Sequence, residues 1–183
     1  MVPSCYVDGV DFQVFEQAQW TKDDYSHKFS HAGLRYEVAT ALGVSKIVHI
    51  AGGVLCGKWP DIKLARKCLL PRLMLGEKPA ADKGYRDYHT GHSRFLTAFP
   101  KNTATDLLRQ INSELHVMGA RHETINQRLK LFGCLSARFF RHGRDFHPTV
   151  FTACANLLQL LLEREPIFPL LPALHKKHRH SMG

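Results

Sequence analysis

Between Cys5 and Phe15 apolar and polar residues alternate. Tyr6, Val10, Phe12 and Val14 share one parity and Gly9, Asp11 and Gln13 the other, the period-2 pattern of a half-buried β-strand. Asp8 falls on the apolar parity. An unpaired carboxylate there is costly to desolvate, so Asp8 must be paired, bound to a metal, or placed at an open strand end. The competing reading makes Asp8-Gly9 a turn and starts the strand after it.

The segments downstream limit the fold further. Two more strand-like runs, Leu34–Leu42 and Lys46–Val54, are joined by Gly43-Val44-Ser45 in the manner of a hairpin. After a loop punctuated by Gly52-Gly53, Gly57 and Pro60, residues 61–70 open a helix with Asp61 placed as its N-cap. Pro79-Ala80-Ala81-Asp82 is too short for a helix and reads as a short strand presenting Asp82 at its carboxyl end. Residues 85–100 show no period and read as a loop. Helices are expected over residues 103–116 and 120–132, the second with Glu123, Asn126, Gln127 and Lys130 as a polar stripe of the kind a solvated face carries. A last helix spans about 148–163, and the basic end, His175 to His180, reads as an unstructured tail. One domain over residues 1–168 and a tail over 169–183 are expected.

Composition narrows the class. The 183 residues are 44% hydrophobic and 22% charged, which excludes disorder, collagen and coiled coil. A chain this long needs no structural metal to hold a core, so any metal would be there for chemistry. Five scattered cysteines with no C-x-x-C pair argue against a disulfide framework and a zinc finger. No apolar run is long enough to span a membrane and no signal peptide is evident, so an intracellular protein is expected. The formal charge of +9 favours a polyanionic partner, and its distribution says more: residues 1–25 hold five acids and one base, residues 121–183 ten bases and four acids. An acidic start inside a basic body suggests a carboxylate site under a cationic surface.

Strand, hairpin, helix, short parallel strand and helices is a ribonuclease-H-like order, whose nucleases carry acids on the first strand, after the fourth and on a late helix. Asp8, Asp82 and Glu123 occupy those places. Magnesium or manganese takes oxygen ligands, and a pair of such ions can activate an attacking oxygen and stabilise a leaving one in phosphodiester chemistry. Val7-Asp8-Gly9, Gly57-Lys58-Trp59-Pro60-Asp61, Ala81-Asp82-Lys83-Gly84-Tyr85 and Ala120-Arg121-His122-Glu123-Thr124-Ile125-Asn126 together resemble, in order, the DDE-type transposase domain of the PIF/Harbinger group, related to bacterial insertion-sequence transposases. Further matches include Tyr25-Ser26-His27-Lys28, Arg128-Leu129-Lys130 and Glu165-Pro166-Ile167-Phe168, so the likeness runs along nearly the whole chain.

The resemblance implies an α/β, ribonuclease-H-like fold: a mixed sheet of three antiparallel strands, then a short parallel strand, flanked by helices. It implies Asp8, Asp82 and Glu123 as a metal-binding triad, a divalent cation as cofactor, DNA as partner and a nuclear location. Asp61 matches a further acidic position of the family, while helix capping explains it equally well. Arg121 and Lys130 flank Glu123 and could hold DNA phosphates, as surface charge would also explain. Arg138 and Arg141 interleave with Phe139 and Phe140 as nucleic-acid surfaces do, though such phenylalanines are more often core. His122 is favoured for packing over general-base work. Complete members carry a helix-turn-helix region ahead of this domain; only seven residues precede Asp8 here, so end recognition would fall to a separate DNA-binding partner protein. The alternatives are a relic that binds DNA or protein without cutting, and a basic structural domain whose acids lie far apart.

Overall fold

The computed structural model describes residues 3–16, 18, 19, 21–86, 94–100, 102 and 105–167. Its sheet is built from β1 (Cys5–Gln13), β2 (Tyr25–Ser26), β3 (His31–Ala41), β4 (Ile47–Leu55) and β5 (Ala80–Ala81), with α1 (Asp61–Cys68), α2 (Asp106–Lys130) and α3 (His147–Arg164) around it. β3 pairs antiparallel with β1 along one edge and with β4 along the other, the short β2 lies against the start of β3, and β5 joins β1 in parallel. The fold is therefore α/β, with a mixed, mostly antiparallel sheet flanked by helices.

Alternation in β1 sends its side chains into two cores rather than one. Val10 and Phe12 pack with Leu34, Tyr36 and Val38 under α2 and α3, whereas Cys5 and Val7 pack with Ala65 and Leu69 of α1. The expectation of a half-buried strand is corrected: helices cover both faces, and Asp11 on the α1 face is 1% exposed. Its charge is tolerated because Arg35 grips it with two bonds, Nε to Oδ1 at 2.8 Å and Nη2 to Oδ2 at 2.9 Å, while Ser26 donates at 2.9 Å. The turn at Asp8-Gly9 is also excluded, since Asp8 faces Val38 and Gly9 faces Glu37 in an unbroken ladder.

The two expected helices at 103–116 and 120–132 are one helix of 25 residues, opened by Thr105, whose side chain accepts from the Leu108 N–H. Ile111, Leu115, Met118, Ile125 and Leu129 form one continuous stripe at helical spacing, and the apparent gap is filled by His122, buried and bonded through Nδ1 to Thr40 Oγ1 at 3.0 Å. At α1 the N-cap position is Pro60, and Asp61 is the first helical residue with its carboxylate turned to the sheet, so capping does not explain it. Within the expected loop, Leu96 forms a parallel bridge with Ala80 and so covers the outer edge of β5; residues 87–93 and the expected tail lie outside the described residues. No helix among the described residues is long and apolar enough to cross a membrane.

Candidate functional site

Sheet register decides where the acids meet. Tyr6 pairs with Ala80 and Val7 with Ala81 in parallel, so Asp8 and Asp82 are the next residues on adjacent strands, at the level where β5 ends. β1 continues to Gln13 without β5 beside it, which places Asp8 where the strand edge opens.

The helix α2 crosses this level. Its close approach depends on Gly119, where an added Cβ would lie 2.9 Å from the Tyr6 hydroxyl. One turn further on, Glu123 and Asp82 line the same cleft, about 460 Å³, together with Tyr6, Lys83, Asn112 and His116. The next turn brings in Asn126, 2% exposed, whose Nδ2 donates to Asp8 Oδ2 at 3.5 Å and whose Oδ1 is buried with no partner. The polar stripe of α2 is thus divided: Glu123, Gln127 and Lys130 are exposed, while Asn126 points inward at Asp8. Nothing in the sequence marks Asn126 out except its place three residues after Glu123.

Electrostatics set Asp8 apart. Burial first, then the nearby Asp61 and Asp82 carboxylates, push its pKa up to about 6, against the opposing pull of Lys28 and the Gly9 N–H. Lys28 is itself fixed, donating to Gly9 O at 2.9 Å. Asp61 lies on the other face of β1, against Gly9, where a Cβ would come within 2.0 Å of its Oδ1. Burial raises its pKa, and Arg35, 3.2 Å away through Nε, counters that. The adjacent Asp8 and Gly9 therefore serve opposite faces, one supplying a carboxylate and the other clearing room for one.

Among the described residues no three His, Cys, Asp or Glu side chains are drawn together tightly enough to enclose a metal ion. Asp8 and Asp82 are strand neighbours and Glu123 stands with Asp82 along the cleft; His116 adds a nitrogen to the same lining, and the three acids offer oxygen donors. Such a set suits a hard cation like magnesium, which keeps several waters and is held by one or two carboxylates plus substrate phosphates. The unpartnered Asn126 Oδ1 and the poorly compensated Asp8 carboxylate are what a cation would satisfy.

The cationic candidates separate. Arg121 donates to the carbonyls of Leu42 and Ile167, both at 3.3 Å, and burial lowers its pKa; this bonding accounts for it without a phosphate. Lys130 and Arg138 line one groove, and Arg141 lies 5.6 Å from the Phe15 ring centroid. His122 is held in the core, its pKa lowered to about 3 by burial, which keeps it neutral and away from proton transfer. Phe140 is buried as expected of core, whereas Phe139 is 59% exposed. Compared with protein-family models, curated proteins and solved structures, the chain matches none.

Proposed function

We propose that the chain is a divalent-metal-dependent DNA endonuclease domain of the DDE transposase type, ribonuclease-H-like in fold. The observation that supports this reading is that Asp8 and Asp82 are neighbours at the open end of the parallel pair, with Glu123 lining the same cleft as Asp82 and Asp8 buried and incompletely compensated. Asp8, Asp82 and Glu123 would hold magnesium or manganese, with the Asn126 amide group beside Asp8. A cation held there would supply Lewis-acid activation of an attacking oxygen and stabilisation of the leaving one. Asn126 fixes the orientation of Asp8, and Lys83 offers a cation to a phosphate entering the cleft. No histidine is required as base, which agrees with the burial of His122. A nuclear location follows from the same reading.

The test is nicking of supercoiled plasmid with magnesium or manganese, beside Asp82→Asn and an EDTA control. Nicking by the wild type, lowered about 100-fold or more in Asp82→Asn, is the expected result. Equal nicking by both proteins, or none by either, would leave the relic that binds without cutting, a reading favoured by the absence of a tight three-acid cage among the described residues.

A further inference from the structure

A second groove lies further along β1 and α2 than the acidic cleft. It follows the edge of β1 that β5 leaves open, and its lining includes Gln13, Phe29, Lys130, Ser136 and Arg138, with the buried Leu135 beneath. Along α2 the exposed residues Glu123, Gln127 and Lys130 lie at i, i+4 and i+7, so one helix edge runs from the acids to the groove. Phe29, in that lining, is 37% exposed, and two further phenylalanines stand in solvent close in sequence to lining residues: Phe15, two residues past Gln13, at 55%, and Phe139, next to Arg138, at 59%. Two carry arginines, Arg138 at 5.3 Å from the Phe139 centroid and Arg141 at 5.6 Å from that of Phe15. Exposed rings normally lower solubility. These are instead set in a rigid frame, because Arg144 pairs with Asp24 and donates to Phe15 O at 3.1 Å, tying the segment around residues 138–144 to the end of β1. The acid in the groove, Asp11, is neutralised by Arg35 and so does not repel an anion.

Cations that follow a backbone and aromatic faces that accept bases are what an unpaired nucleic-acid strand needs, whereas a paired duplex hides its base faces. We infer that this groove binds single-stranded DNA and delivers it to the acidic cleft, so that the substrate is a strand with unpaired bases. The inference rests on the nuclease reading for the strand's destination, but not for the binding itself.

The test is fluorescence anisotropy of a labelled oligothymidylate of about 12 nucleotides, a length within the range of such sites, against a duplex of equal length, in EDTA. The single strand should bind more tightly. Phe139→Ala and Phe15→Ala should each weaken single-strand binding about ten-fold and leave duplex binding unchanged, while Arg138→Ala should weaken both. The rings are exposed, so an unchanged melting temperature confirms that the variants are folded. Equal or tighter duplex binding, indifference to both phenylalanine substitutions, or no binding of either DNA would overturn the inference. Binding without nicking would sink the nuclease reading alone, and nicking without single-strand preference would sink only this one.

Discussion

Asp8 costs stability in the ionised state that metal binding would need. Its pKa rises from the ordinary carboxylate value of 3.8 to about 6 on folding, so the folded chain holds the proton more tightly than the unfolded one. Folding is therefore favoured below pH 4, and that advantage is lost as pH rises through 6. Asp8→Asn, which can still bond Asn126, should stabilise the protein by roughly 2–3 kcal/mol at pH 7.5 and by only about 0.5 kcal/mol near pH 4. Denaturant titrations at the two pH values check this, and an equal effect at both would contradict it. Gly9 is the complementary case. Gly9→Ala drives a methyl into the Asp61 carboxylate and should cost about 1–3 kcal/mol. Asp61→Ala in the same background should recover part of that loss, a coupling that a double-mutant cycle would detect.

The helix α2 reaches the sheet at Gly119, a residue that ordinarily weakens a helix interior by about 1 kcal/mol relative to alanine. Here the missing side chain admits the Tyr6 hydroxyl. Gly119→Ala alone should destabilise, whereas in a Tyr6→Phe background, which removes the obstructing oxygen, it should stabilise by up to about 1 kcal/mol. Thermal melts of the four proteins would show the change of sign, and its absence would mean that the helix does not depend on this contact. The helix also shows what could be read in advance. Period-2 alternation located β1, and two strand-like runs about a short hairpin located β3 and β4, to within a few residues, and Asp82 at the end of a two-residue strand was visible in the shortness of its apolar run. The continuity of α2 was not visible, because His122 interrupts the apolar stripe in sequence and completes it only when Thr40, from β3, supplies a partner. Asp11 hid in the same way, since its neutralising Arg35 lies on another strand. Asn126 looked like solvated surface until the sheet placed Asp8 before it.

The acidic cleft joins β1, the end of β5 and α2, so its occupancy should register in the stability of the whole chain. Manganese or magnesium at about 100 times its Kd should stabilise by about 2.7 kcal/mol, or about 5–10 °C in Tm, at pH 7.5. Near pH 4 the protonated Asp8 should largely abolish the shift, and so should Asp8→Asn at any pH. A shift that survives in Asp8→Asn would place the cation elsewhere. The two neighbouring acids also differ in how firmly the chain holds them. Asp8 belongs to a nine-residue strand paired along its length to β3, whereas Asp82 follows a strand of two residues, secured by two residue pairs with β1 and a single bridge to Leu96. Amide exchange should therefore be slow through β1 and fast at Ala81, since short edge pairs open at far lower free energy than a central ladder. Whatever bridges Asp8 and Asp82 closes that edge, so ligand capture and the final step of folding become one event.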